Sequence, residues 1–395
     1  MKRALIPFLL AGSIIGMPLV STTAVCMPAD HIVQSEGQYT EKAKSVTIHV
    51  SGAGKYGNVE LCCTAEEFLQ AGYEYGDLLM ADMSALGRLP VVFTPDYSSA
   101  GVGMLAVSDD AGRSNSLSLF MLNISVTDCL ITEQLPETVT FSLAQRHYLP
   151  ILKLSRTNLR NDYRSDEEFA NFREVVGKKI KPKTLYRASN PLNDKANPGR
   201  CGYADRLAER AGIKTVIDMA DSNGKLQQIK TLPDYSGKLY ANGKTVLLGI
   251  MPDMFLPENK ARLAEGIRFM LKNDGPYLFN CNEGKDRTGF LAIVLEALAG
   301  GSIEEIKRDY LLSYCNYYHL EPGSEEYERF SRTTIERLLC ILVEPELRMQ
   351  TGKFDWQDKE VPSAAEVQKA AYDYLLSTGL SVVEIESLKA KYCIE

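Results

Sequence analysis

Nine consecutive residues, Cys281-Asn282-Glu283-Gly284-Lys285-Asp286-Arg287-Thr288-Gly289, constrain this chain more than any other segment. They follow Pro276–Asn280, a short apolar run that reads as a buried strand. They lead into Thr288–Leu298, a helix that is apolar almost all round and therefore buried. A buried strand that turns tightly into a buried helix belongs in an α/β sheet with helices packed on it. Arg287 stands six positions after Cys281, and none of the other eight cysteines has an arginine at that spacing.

The order strand, tight loop, helix N-terminus suits one task. Backbone N–H groups of such a loop converge on an anion, and the helix dipole adds a favourable field. The same field favours a thiolate, which makes Cys281 a candidate nucleophile. Arg287 offers a planar fork that matches two phosphoryl oxygens. Thr288 has a hydroxyl to give to the thiolate or to the departing sulfur. Gly284 and Gly289 permit tight turns and close approach. Asn282, Glu283, Gly284, Lys285, Thr288 and Gly289 are thus the expected phosphate-binding residues, and the implied chemistry is phosphoryl transfer to Cys281 followed by hydrolysis. Lys285 has two readings: it reaches a second substrate phosphate, or it pairs with a carboxylate such as Asp221. A leaving oxygen needs a proton, so a carboxylic acid is also required. Asp286 lies inside the loop. Asp253, in Met251-Pro252-Asp253, lies 28 residues before Cys281 and follows the predicted strand Thr245–Ile250.

The remainder of the 395 residues divides by rhythm. Residues 30–140 read as mainly β: Ser45–Val50, Asn58–Cys63, Leu89–Thr94, Gly103–Ser108 and Leu117–Val126 are short apolar or alternating runs between Gly, Asn, Asp and Pro clusters. Thr64 and Glu67 mark one helix start among them. Residues 150–395 alternate between helices and strands. Ser165–Val176, Tyr203–Ala211 and Pro257–Lys272 read as helices, Thr184–Arg187 and Lys214–Met219 as strands, and Ser302 with Glu305 caps a later helix. The expectation is a catalytic part that folds and works without the β region. At the start, Lys2 and Arg3 precede the apolar run Ala4–Val20 and the small residues Ser21–Ala24. That order predicts a signal peptide over residues 1–25 and export of the protein, with no transmembrane segment once it is cleaved. Cys26 offers a site for lipid anchoring. Lys+Arg 44 against Asp+Glu 51 gives a net charge of −7, which argues against nucleic acid as a partner. Four scattered histidines and the cysteine spacing suggest neither a metal site nor a disulfide framework.

The loop resembles that of the cysteine-dependent tyrosine phosphatases, specifically a bacterial subgroup whose loop reads Cys-x-x-Gly-Lys-Asp-Arg-Thr-Gly. Leu185–Ser189, Ala211–Asp218, Asp309–Ser313, and Gly379–Ser381 with Leu388 resemble further segments of that family, so the likeness covers roughly 150–395. It implies an α/β phosphotyrosine-phosphatase-like domain, a central sheet flanked by helices, preceded here by the mainly β region. It also implies catalytic roles for Cys281, Arg287 and Asp286 and no cofactor. Met251-Pro252-Asp253 is similar to the Trp-Pro-Asp loop of the wider superfamily. The implied substrates are phosphotyrosine or broader phosphoproteins, with phosphoinositides or inositol phosphates as the alternative through Lys285. A weakly active module that only binds phosphoryl ligands is a third reading. Three departures bear on it: Asn280 stands where the family usually has His, Met219-Ala220-Asp221 lacks the usual Arg, and Glu283 adds a negative charge to the loop. The 30–140 region faintly resembles the C-terminal β domain of S-adenosylmethionine hydroxide adenosyltransferases, which implies a fold relation and no chemistry.

Overall fold

A computed structural model describes residues 45–83, 86–109, 116–131, 134–149, 156–195, 197–350 and 359–394. The predicted signal peptide and Cys26 lie outside the described residues. From Glu41 to the C-terminus the chain forms one compact unit.

Seven strands close the β region into a barrel, a feature that the spacing of apolar runs did not reveal. They are β1 (Val46–Ala53), β2 (Val59–Leu61), β3 (Leu78–Asp82), β4 (Arg88–Phe93), β5 (Leu105–Asp109), β6 (Leu117–Met121) and β7 (Thr138–Gln145). Their order is β1-β2-β6-β5-β4-β3-β7, and β7 pairs back onto β1 to remove both edges. β4 and β5 run parallel, and the other neighbouring pairs run antiparallel. β3 (Leu78–Asp82) and β7 (Thr138–Gln145) are not among the strands expected from the sequence, and burial alternates only weakly toward the end of β7. Phe68, on the short helix Ala65–Gln70 that Thr64 and Glu67 cap, fills the barrel interior against Tyr73, Phe93 and Phe141.

The second sheet has the order β11-β10-β12-β9-β8, with β8 (Arg173–Glu174), β9 (Leu185–Ala188), β10 (Thr215–Asp218), β11 (Thr245–Leu247) and β12 (Tyr277–Asn280). All neighbours are parallel except β8 and β9. The predicted helix Ser165–Val176 is only the turn Asp166–Phe169 followed by β8, because Asn171 takes a left-handed φ of 49° and ends it. The register sets Asp218, Asn280 and Ala188 side by side at the sheet's C-terminal edge. The helix Asp286–Leu298 rises from that edge and is buried along its length. Helices Ile303–Tyr318, Ala364–Ser377 and Val382–Tyr392 complete the α/β part, the first, second and third each opening on a Ser–Glu capping box. Most buried apolar side chains of the barrel and those on one face of the sheet belong to one connected core, while the other face of the sheet packs separately against the helix Cys201–Arg210. The barrel is therefore packed into the molecule and is not an appended unit.

Candidate active site

The loop Cys281–Lys285 leaves the end of β12 and enters the helix Asp286–Leu298, as the spacing predicts. Gly284 is what makes the turn possible. Its φ is +68°, and a Cβ there would stand 2.2 Å from the Ala188 carbonyl oxygen. Gly289 lies against the Tyr310 ring, which a Cβ would approach to 2.9 Å.

Four successive loop carbonyls, from Asn282 to Lys285, are held outward by partners in the surrounding protein. Asn282 O accepts from Asn190 N at 3.2 Å. Glu283 O accepts from Asn171 Nδ2 at 3.0 Å and Tyr317 Oη at 2.9 Å. Gly284 O and Lys285 O accept from Arg187 Nη2 at 2.8 and 3.2 Å. With the carbonyls held outside, the peptide planes aim their N–H groups inward. Among the described residues none of the amides from Asn282 to Arg287 donates to the protein. This is a preorganised anion cradle at a helix N-terminus. In the sequence Arg187 stands within Leu185–Ser189, a segment that resembles the family, with no role assigned to it. It is fully buried, pairs with Asp309, and shares that carboxylate with Arg173. Asn171, Asn190 and Tyr317 gave no signal, since their contacts join distant segments.

Cys281 sits at the base of the cradle and is 2% exposed. Thr288 Oγ1 is buried with no hydrogen-bond partner. The Arg287 guanidinium donates from Nη1 to Ile250 O at 2.8 Å and makes no ion pair among the described residues. The Glu283 carboxylate is held by Arg156 and by Lys285 Nζ at 3.5 Å. Burial opposes its charge, but Lys285 and Arg156 outweigh burial and hold its carboxyl down at about 2. The extra negative charge is thereby paired with Arg156 and with the loop's own Lys285.

Lys285 is 2% exposed and does not meet Asp221. Its Nζ donates to Ser98 Oγ at 3.1 Å and Tyr318 Oη at 3.4 Å, with Glu283 at 3.5 Å and Asp286 at 3.9 Å. It also lies over the rings of Tyr314 and Tyr318. Burial works against its charge, yet Asp286, Tyr318 and Glu283 keep the ammonium protonated well above the usual lysine range. Asp221 instead accepts from Asn190 Nδ2 at 2.8 Å and Asn193 Nδ2 at 2.9 Å.

The two candidate acids differ sharply. Asp286, on the first turn of the helix, keeps Oδ1 buried with no hydrogen-bond donor. Asp253 is 2% exposed and both its oxygens are engaged. Oδ2 accepts from Arg348 at 2.5 Å and from Ser125 N at 3.1 Å, and Oδ1 accepts from Phe255 N at 2.9 Å. Asn259 ties the same segment through Met251 N and the Asp253 carbonyl.

Beneath the cradle, Asp218 and Asp221 form a fully buried carboxylate pair. Burial first, and Asp221 second, raise Asp218 to about 7 despite the backbone N–H groups of Asp221 and Ala220 that it accepts. Asn190 links this pair to the loop, since its amide side chain reaches both carboxylates and its N–H reaches Asn282 O.

No curated protein matches this sequence. Among solved structures, the chain is similar to the core catalytic domain of the PP-IP phosphatase SIW14 from S. cerevisiae in complex with citrate, at 19% identity over 45% of this chain and 93% of that one, with a TM-score of 0.25. A second SIW14 catalytic-core structure gives 18% identity over 44% and 96%, with a TM-score of 0.24. An uncharacterized conserved protein from Thermotoga maritima gives 13% identity and a TM-score of 0.23 over 27% of this chain, which spans 40% of that structure. The family model described as "Tyrosine phosphatase family" matches residues 165–393, more than half of the sequence and the whole of the cradle. On that match, the chain belongs to the tyrosine phosphatase family.

Proposed function

We propose that this protein hydrolyses phosphate monoesters through a cysteinyl-phosphate intermediate, with phosphotyrosine or other phosphoprotein side chains as substrates. The observation that carries the reading is the cradle: four successive carbonyls are held outward, so the free amides face a site that holds both Cys281 and Arg287. In the proposed first step the Cys281 thiolate attacks phosphorus. The S–P bond forms, the ester P–O bond breaks, and Asp286 gives its proton to the leaving oxygen. In the second step water attacks the phosphocysteine, Asp286 takes the water's proton, and the thiolate departs with inorganic phosphate. The loop amides and Arg287 hold the equatorial oxygens in both steps. Thr288 Oγ1, buried without a partner, supplies a hydroxyl for the sulfur. No cofactor enters the scheme.

Phosphoinositides or inositol phosphates are the second reading. It depends on Lys285 reaching past the cradle, and the ammonium's contacts with Ser98, Tyr318, Glu283 and Asp286 favour the first reading. The test is release of phosphate from an aryl phosphate by the full chain and by Cys281→Ser. We expect turnover in the former and loss of at least about a thousandfold in the latter, because a serine hydroxyl is far less nucleophilic near neutral pH. Equal rates would reject the assignment.

A further inference from the structure

The barrel supplies a side chain that sits directly on the phosphate-binding loop. Ser98, 8% exposed, lies in the turn Tyr97–Ser99 between β4 and β5. Its Oγ accepts from Lys285 Nζ at 3.1 Å and shares a hydrogen bond of 2.9 Å with Tyr318 Oη. The turn is itself rigidly placed. Asp96 accepts from Ser99 N and Ser99 Oγ, both at 2.9 Å. Tyr97 stacks on Phe120 at 4.9 Å and accepts from Asn123 N at 2.7 Å. Val102 N donates to Thr333 O at 2.8 Å, which fastens the far end of the segment to the α/β part.

The charges close around Lys285 as well. Arg156 and Lys285 both pair with Glu283, and Lys285 Nζ also stands 3.9 Å from Asp286, so the loop's one lysine is taken up by protein groups. Arg287 and the loop amides are then left for the substrate, which is a charge set matched to one phosphate dianion. A ligand with a second phosphate beside the first needs another cation, and the loop's lysine is already committed.

We propose that Ser98 is a specificity-determining residue: by holding Lys285 against the barrel it confines the site to esters of a single phosphate. The proposal rests on the phosphatase reading for the identity of the site but concerns only which ligand the site admits. Without the hydroxyl acceptor, the conformers in which Lys285 swings toward the cradle become more populated, and a neighbouring phosphate gains a partner.

The test uses the full chain in a Cys281→Ser background, so that binding is read without turnover. O-phosphotyrosine and myo-inositol hexakisphosphate are titrated by calorimetry into this parent and into versions carrying Ser98→Ala, Ser98→Thr, or Ser98→Ala with Lys285→Met. We expect Ser98→Ala to tighten hexakisphosphate at least fivefold relative to phosphotyrosine. Ser98→Thr keeps the hydroxyl and should stay within twofold of the parent. Adding Lys285→Met should cancel the gain. An equal change for both ligands, a gain that survives Lys285→Met, or no binding of phosphotyrosine overturns the proposal. Failure of the phosphatase reading shows separately, as absence of aryl phosphate turnover by the chain with Cys281 intact.

Discussion

Asp286 and Asp253, the first and second candidates for the proton donor in the sequence, stand in different surroundings. The Asp253 carboxylate, which accepts from Arg348, Ser125 N and Phe255 N, has both oxygens engaged and ties its segment to the protein. The next segment back matters for the site, because Ile250 O accepts from Arg287. Asp286 has a side-chain oxygen with no donor and stands beside the cradle. Asp286→Asn is therefore expected to slow alkyl phosphates far more than nitrophenyl phosphate, since a good leaving group departs unprotonated. Asp253→Asn should lower both substrates' rates alike, through a misplaced Arg287. Steady-state rates on a series of leaving groups check this, and a leaving-group dependence appearing only in Asp253→Asn reverses the assignment. The pair beneath the loop makes a different prediction. Asp218 is raised to about 7, so the native state favours its protonated form. Its stabilising contribution is complete below the ordinary carboxylate value near 4 and is lost as pH rises through 7. Burial raises Glu296 too, and it acts in the same direction. The melting temperature should fall between pH 5 and pH 8, and Asp218→Asn should flatten that fall. A slope identical in the variant would remove Asp218 as its source.

At the scale of elements, the strand–loop–helix unit works because its neighbours over-determine it. β9 presents the Ala188 carbonyl to Gly284 and Arg187 to the loop carbonyls, while the helix Ile303–Tyr318 returns Asp309 to Arg187. Gly284→Ala must either push the loop off β9 or place alanine at a positive φ. Either route is expected to cost about 1–3 kcal/mol of stability and to rotate the amides away from the anion. Urea denaturation and phosphate binding should both register the change. A variant with unaltered stability and affinity would show that the loop has more room than its 2.2 Å approach to Ala188 allows.

The whole molecule behaves as one unit from Glu41 onward. Barrel turns meet the α/β part at Lys285 through Ser98, at Asp253 through Ser125, and at Thr333 through Val102. The sequence suggests that residues 150–395 stand alone, but removing the barrel would expose apolar core and strip partners from buried charges. The isolated segment is expected to be insoluble or to lose most of its phosphatase activity, measured against the full chain by soluble yield and aryl phosphate turnover. A soluble, fully active segment would show that these contacts are dispensable. A soluble one with gained preference for multiply phosphorylated ligands would match a specificity role for the barrel.

Local chemistry made the loop Cys281–Lys285 and its place at a helix N-terminus legible in the sequence. Cys281, Gly284, Arg287 and the flanking strand and helix are fixed within about twenty residues, where spacing alone places them around one helix N-terminus. The capped helices at Thr64 and Ser302 were readable for the same reason, since a capping box involves only residues three apart. Barrel closure was not readable, because β7 meets β1 across nearly a hundred residues and its alternation is weak. Nor were the partners of Lys285 and Asp253, as Ser98 lies 187 residues from the one and Ser125 lies 128 from the other. Sequence spacing fixes what a tight turn can hold. Which charges are paired, which carboxylate has both oxygens engaged and where the lysine is held depend on surfaces that meet only when the chain packs, and those were decided by the tertiary structure.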